Sequence, residues 1–258
     1  IAVLLNVTPD HLRRHGSFDE YVKQKSKCVQ MQTPDDIVVF NEDDPIVCEI
    51  ASESLAEKIP FSKQDIDDDL IQACHLPGKH NLMNLAATIK VVEIMGKSKA
   101  YTLSRLQEFK GLKHRMEKVG TFNNITYIND SKSTNPDSTI KAVQSMSQPT
   151  HLMLCGEEKN VDLVEMMEEI HKSVKTITVF GEIAAQVNIL STNLDAQFPV
   201  FIAGSLSEAL DHIYAQVKPN ETVLFSPSSS SYDCFKGFED RGNQFCLSVT
   251  QYYESLSY

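Results

Sequence analysis

HLMLCGEEKNVDLVEMMEEIHKSVKTITVF, residues 151–180, holds the clearest architectural statement in the chain. It opens on a short apolar run, His151–Cys155, breaks at Gly156 into a polar loop, and continues through an amphipathic segment over 161–172. A second apolar run, 176–180, closes it. Short apolar strands on either side of a helix indicate parallel β-structure, because parallel neighbours need a crossover and are then buried on both faces. The alternation extends in both directions. A helix is expected at 136–146 upstream; helices at 182–190, 206–216 and 233–255 and strands at 199–202 and 222–226 are expected downstream. A hairpin around Phe122-Asn123-Asn124 joins Val119 to Ile125–Ile128. The fold class expected is α/β with a mostly parallel sheet.

Before Gly111 the rhythm differs. Residues 1–6 and Ile37–Phe40 read as strands, and Ser17 with Glu20 forms a capping box opening a helix to Gln30. Asn41–Pro45 turns the chain into a short helix, and residues 53–76 have no clean period, which suggests short strands and loops. From His80 to Met95, Leu82, Leu85, Ala86, Ile89 and Val92 recur at helical spacing before Gly96. A short helix is expected at 102–109. The boundary is placed near Gly111–Lys113, giving domains 1–111 and 112–258.

Composition removes several function classes. The 258 residues are 41% hydrophobic and 23% charged, which is globular rather than disordered or fibrous. With 24 Lys+Arg against 35 Asp+Glu, the net charge of −11 offers no general attraction for nucleic acid or anionic lipid. Any bound anion needs a local cationic pocket. No apolar stretch approaches the roughly 20 residues of a membrane span. The opening apolar run lacks a preceding basic region, so it reads as the end of a buried strand rather than a signal peptide, and the chain is expected to begin inside a domain. The six cysteines contain no C-x-x-C pair, which points to reduced thiols and a cytoplasmic protein. His11 and His15 have helical i,i+4 spacing but no H-E-x-x-H motif.

The familiar nucleotide motifs are missing. No G-x-G-x-x-G is present, and Gly96-Lys97-Ser98 has Val91 where a P-loop needs glycine and ends a helix instead of opening one. No G-x-S-x-G elbow makes a nucleophile of Ser228–Ser231. Four polar clusters instead fall where strands of a parallel sheet end, the normal place for ligands: Asn129–Asn135, Gly156–Asn160, Gly181–Glu182 and Ser226–Asp233. Asn129–Asn135 reads either as a loop capping the helix at Pro136 or as a ring of N–H groups beside Lys132 poised for an anion. Ser226–Ser231 reads as a serine linker or an anion nest, and Asn81 and Asn84 as a cap or two amides for a purine edge. Lys25, one turn after Tyr21, reads by default as a surface lysine.

Taken together, five segments resemble the Mur ligases. They are Asn6–Leu12 (NVTPDHL), Gly78–Asn84 (GKHNLMN), Gly111–Arg115 (GLKHR), Asn129–Asn135 (NDSKSTN) and Ser226–Gly242 (SPSSSSYDCFKGFEDRG), in that family's order and approximate spacing. The last segment is similar to the motif of the branch that adds D-glutamate, and the D-N-P-R signature of the diaminopimelate- or lysine-adding branch is absent. The resemblance implies the second half of a central ATPase domain, without its P-loop, followed by a Rossmann-like C-terminal domain.

It also implies an activity: ATP phosphorylates the carboxylate of UDP-N-acetylmuramoyl-L-alanine, and D-glutamate attacks the acyl phosphate to form an amide in peptidoglycan precursor synthesis. Such steps concentrate negative charge, so Mg²⁺ and fixed cations are expected to carry catalysis. By position, His11 matches a magnesium ligand, and Lys25 a lysine that carries a carbamate. Asn81 and Asn84 match residues beside the adenine. Arg115, Asp130 and Lys132 match groups facing ATP, Lys132 being catalytic with Lys25 and His11. Thr134, Lys159, Ser231, Tyr232 and Phe238 match the D-glutamate pocket. Glu157 receives no role. The sugar nucleotide is expected to bind mainly through a domain outside this chain, and a monomer with no nucleic-acid or membrane partner is expected. Two alternatives stay open: a folylpolyglutamate-type ligase, and a truncated glutamate-binding paralogue without catalysis.

Overall fold

The computed structural model describes residues 1–8, 17–74, 80–158, 162–194 and 198–256. His11 and Lys159 lie outside the described residues. The chain divides into two compact units, Ile1–Lys110 and Gly111–Tyr258.

In the first unit, β1 (Ala2–Leu4), β2 (Ile37–Asn41) and β3 (Glu57–Phe61) form a parallel sheet in that order. Its helices are α1 (Phe18–Gln30), α2 (Pro45–Ser52), α3 (Asp68–Ala73), α4 (His80–Ile94) and α5 (Lys99–Glu108). Successive residues of β2 face opposite sides of the sheet, and both sides are covered. Val38 packs with Val29 of α1 and Val47 and Ile50 of α2, whereas Val39 packs with Phe61 and with Ala86 and Ala87 of α4. The helix starts follow local chemistry. Ser17 Oγ accepts from Glu20 N at 3.2 Å, and Asp44 Oδ1 accepts from Ile46 N and Val47 N at 3.0 and 3.1 Å.

Residues 53–76, without a period in the sequence, contain β3, a 3₁₀ turn over Lys63–Asp65 and α3. Six residues are too few for α3 to display a helical stripe, and β3 contains Pro60, which is tolerated because β3 lies at the sheet edge. Asp67 supplies the α3 cap, accepting from Leu70 N at 3.1 Å.

The second unit carries a six-stranded sheet: β4 (Glu117–Phe122), β5 (Ile125–Asn129), β6 (Thr150–Cys155), β7 (Thr176–Phe180), β8 (Val200–Ile202) and β9 (Thr222–Ser228). The strand order is β4-β5-β9-β6-β7-β8, with β4 antiparallel and every other pairing parallel. The helices are α6 (Pro136–Gln144), α7 (Val164–Ile170), α8 (Ala184–Asn193), α9 (Leu206–Gln216) and α10 (Phe238–Ser255). The expected α/β class with a mostly parallel sheet is therefore present. Alternation along β6 builds two cores. Leu152 and Leu154 join Ala142, Met167 and Val187 from α6, α7 and α8; Met153 and Cys155 join Leu210, Ile213, Phe245 and Val249 from α9 and α10.

Helix bounds differ from expectation by a few residues at several ends, as in α5, which starts at Lys99 rather than 102, and α8, which spans Ala184–Asn193 rather than 182–190. Among the described residues α7 spans only Val164–Ile170. The last helix begins at Phe238 rather than 233, because the chain before it forms a hydrogen-bonded loop. Phe235 N donates to Ser231 O at 2.8 Å, and Lys236 N donates to Asp240 Oδ2 at 3.0 Å.

Candidate active site

β9 leads into α10 on one face of the sheet, while its neighbours β5 and β6 lead into α6 and α7 on the other. Where adjacent connections part to opposite faces, an open parallel sheet leaves a place for ligands beyond its carboxyl edge. The loops after β5, β6 and β9 meet there.

The β5 loop is organised from within. Asn129 is fully buried; its Oδ1 accepts from Ser131 N at 3.1 Å, so its Nδ2 must be the donor. Nδ2 donates to Glu117 Oε2 at 3.1 Å and to His114 Nδ1 at 3.0 Å. Helix α10 approaches so closely that a Cβ on Gly242 would stand 2.2 Å from His114 Nδ1. Asp130 is also buried. Its Oδ1 accepts from Met116 N at 3.1 Å, and its Oδ2 from Ser226 Oγ at 2.8 Å and from Ser133 Oγ. Burial raises its pKa above the usual carboxylate range, against the Ser133 and Ser226 hydroxyls, the Met116 N–H and the charge of Arg115. Both Asp130 oxygens thus organise the loop. The cap reading of the segment holds for Asn135, whose Oδ1 accepts from Ser138 N at 2.9 Å at the start of α6.

Lys132 is half-buried. Its N donates to His114 O at 2.9 Å, and its ammonium sits 3.8 Å from the centroid of the Phe238 ring, a cation–π contact joining the β5 loop to the start of α10. Thr134 is half-buried on the same loop, Ser231 is buried after β9, and Tyr232 beside it is 67% exposed. Arg115 is exposed between His114 and Met116, both in the left-handed region with φ of 63° and 47°.

The serine run is neither a linker nor a set of free hydroxyls. Ser226 Oγ donates to Asp130, Ser229 Oγ donates to Glu157 O at 2.6 Å, and Ser230 Oγ bonds the Glu157 carboxylate. Glu157 N returns a bond to Ser230 O at 3.0 Å. Gly156 permits this pairing, since a Cβ there would stand 2.2 Å from Ser230 O and its φ is 131°. Ser228 has a φ of 66°, and its buried Oγ has no hydrogen-bond partner among the described residues. Glu157 therefore has a structural role that sequence reasoning did not assign.

Arg241 was also missed. It is fully buried and joins the loops: Nε donates to Ser131 Oγ at 3.0 Å, Nη2 to Ser131 O at 2.8 Å, and Nη1 to Ser229 O at 3.0 Å. In the sequence it stands inside the Ser226–Gly242 segment that resembles the family motif, as an arginine one turn into a helix, and nothing local marks it as buried.

In the first unit, Lys25 is exposed on α1 with its ammonium 5.2 Å from the Tyr21 ring centroid. Asn84 Nδ2 donates to Asn81 Oδ1 at 3.1 Å, so the two amides are bonded to each other at the start of α4. The segment leaving β1 is held from β2 and α2: Asn41 Nδ2 donates to Leu5 O at 3.0 Å, and Asp44 Oδ2 accepts from Val7 N at 3.3 Å. Among the described residues no three His, Cys, Asp or Glu side chains group for a metal ion, and no helix is long and apolar enough to cross a membrane.

Comparison with known proteins agrees with this layout. Residues 1–74 match the Mur ligase middle domain and residues 114–229 the Mur ligase glutamate ligase domain. The UDP-N-acetylmuramoylalanine--D-glutamate ligase of Desulfitobacterium hafniense strain Y51 is 35% identical over 98% of this chain and 60% of its own length. The enzyme of that name from Clostridioides difficile strain 630 is 34% identical over 95% of this chain and 58% of its own. The chain thus spans about 60% of the length of such relatives. In fold it resembles the MurF ligase of Thermotoga maritima in complex with ADP, with a TM-score of 0.70 at 16% identity over 97% of this chain and 62% of that one. E. coli FolC in complex with ADP gives 0.67 at 15% identity over 99% and 62%. With both matched segments in the family's order and close relatives across nearly its whole length, the chain belongs to the Mur ligase family.

Proposed function

We propose that the chain is part of an ATP-dependent carboxylate–amine ligase that joins D-glutamate to UDP-N-acetylmuramoyl-L-alanine in peptidoglycan precursor synthesis. Its family consists of ATP-dependent ligases, and relatives at 34–35% identity carry the name of that activity. The observation that carries the reading is the meeting of Lys132 and Phe238 at 3.8 Å above loops locked by buried Ser131 and Ser231. A cation meant for phosphoryl oxygens and a ring meant for the amino-acid pocket come together at one sheet edge. In the proposed reaction a carboxylate oxygen attacks the γ-phosphorus of ATP and ADP leaves; the amine of D-glutamate then attacks the acyl carbon, losing a proton as phosphate departs.

Arg115 and Lys132 meet the phosphates, while Asp130 holds the loop that presents Lys132. Asn81 and Asn84 lie by the adenine. Thr134, Lys159, Ser231, Tyr232 and Phe238 bind D-glutamate. Mg²⁺ would be held by His11 and by Lys25 as a carbamate, and exposed Lys25, whose partner is an aromatic ring rather than a carboxylate, suits that modification. When bound, the ion supplies neutralisation of phosphoryl charge.

The test is an NMR titration of the chain with D- and L-glutamate. D-glutamate is expected to shift residues 132–134 and 226–238, with L-glutamate weaker. Lys159→Ala is expected to reduce affinity about tenfold, the loss of one charge-assisted hydrogen bond. Shifts confined to other surfaces overturn the assignment.

A further inference from the structure

We propose that the groove between α1 and α2 is a docking surface for a basic amphipathic helix of a partner protein. The inference is independent of the ligase reading, because it rests on the first unit alone and on residues with no part in that reaction. The two helices leave a furrow of about 310 Å³ between them. Val22, Ser26, Ile46 and Ile50 form its floor, and Phe18 stands at the first turn of α1. The hydroxyl on the floor is consumed from within: Ser26 Oγ donates to Lys23 O at 3.0 Å and accepts from Gln30 Nε2 at 3.1 Å. The floor therefore suits apolar contact rather than a polar small molecule.

Apolar surface continues past the end of the furrow. Gln30 and Glu53 line that end, and Met31 and Leu55 just beyond them are 90% and 72% exposed. Ser54 Oγ donates to Gln32 Oε1 at 2.8 Å, which holds the two turns side by side. A single exposed apolar residue needs no explanation, but two of them in line with an apolar furrow mark an interaction surface.

Charge selects the partner. Asp19, Glu49 and Glu53 stand exposed on the rim, and among the described residues their carboxylates have no hydrogen bond or ion pair. Lys23 lies beside them but is 3.6 Å from Glu20 Oε1. Uncancelled carboxylates around an apolar floor match a helix whose apolar stripe is bordered by Lys or Arg. They disfavour a second copy of this chain, which would bring the same carboxylates against them, and they repel an anionic lipid surface.

The walls also select a helix over an extended segment. They are helices bonded within themselves, so they offer no edge for strand pairing, and the occupant must satisfy its own backbone. The 13 residues of α1 give the furrow a length of about 18 Å, enough for roughly three turns of helix anchored at i, i+4 and i+7.

The experiment uses the full chain and a labelled synthetic helix of about 14 residues, with leucines at i, i+4, i+7 and i+11 flanked by lysines. Affinity is read by fluorescence anisotropy, and the site by NMR shifts. The peptide is expected to shift residues of α1 and α2, and the same helix flanked by glutamates should not bind. Glu49→Lys with Glu53→Lys should weaken binding about tenfold, a difference that shrinks at about 0.5 M salt. Glu168→Lys with Glu169→Lys, the same charge change on exposed positions of α7, should leave it within about twofold. Met31→Ser with Leu55→Ser should cost about fivefold or more. All substituted positions are exposed, so unchanged thermal midpoints will show that each variant is folded. Absence of binding, equal weakening by the two charge reversals, or full affinity in a peptide with serine for leucine overturns the inference. So does a dimer in sedimentation that the Glu49→Lys, Glu53→Lys variant abolishes, which would assign the groove to a second copy.

Discussion

Glu221 shows how a single carboxylate is held far from its ordinary behaviour at the end of the sheet away from the candidate site. His151, 1% exposed, donates or accepts at 2.8 Å through both ring nitrogens, Nδ1 with Thr176 Oγ1 and Nε2 with Glu221 Oε2. Lys175 bonds Glu221 Oε1, and Lys218 N donates to Oε2 at 2.9 Å. Burial pushes the Glu221 pKa up, but Lys175, His151 and the Lys218 N–H together bring it down to about 2. A carboxylate depressed in the folded state contributes stability that is fully present above its unfolded pKa and is lost as pH falls toward the folded one. Urea midpoints of the wild type should therefore drop between pH 4.5 and about 2, and Glu221→Gln should flatten that part of the curve. Parallel curves for the two proteins would count against the assignment. Residue-scale chemistry of this kind was opaque beforehand, since His151 and Glu221 are 70 positions apart.

At the scale of elements, the β4–β5 hairpin turns through Asn123 and Asn124 with φ of 51° and 62°, the left-handed pair of a type I′ turn. Asparagine tolerates that region and alanine does not, at about 1–2 kcal/mol per residue. Replacing both by Ala should lower stability by about 2 kcal/mol or more, read as a shift in urea midpoint with unchanged slope; Asn124→Gly should be neutral or slightly stabilising. A loss below about 0.5 kcal/mol would show that pairing with β9, not the turn, sets the register. Such turns, like the Ser17 and Asn135 caps, are written locally and were readable. The start of α10 was not, because Asp233–Gly237 is held as a loop by the bonds of Phe235 N to Ser231 O and of Lys236 N to Asp240, and neither can be read from local sequence.

For the whole molecule, the Gly111–Tyr258 unit has two cores of its own, one on each side of its sheet. About 150 residues is the usual size of an autonomous domain. Residues 111–258 expressed alone should unfold in one cooperative urea transition followed identically by fluorescence and circular dichroism. A broad or probe-dependent transition would mean that the first unit is required for folding.

Apolar runs of four to six residues between amphipathic segments were enough to announce a parallel sheet, because burial on both faces leaves no polar alternative at those positions. The motif order was likewise enough to bring Lys132, Thr134, Ser231 and Phe238 into one list. What the linear chain could not show is which polar groups consume one another. Asp130 and the serine run look available as ligands in sequence, yet Asp130 is taken up by Ser133, Ser226 and Met116, and Ser229 and Ser230 by Glu157. Arg241, unremarkable in a charged stretch, is enclosed by β6 and two loops. Periodicity records how each residue faces its own element, whereas hydrogen-bond partners and buried charge depend on segments distant in the chain, and only their packing sets them.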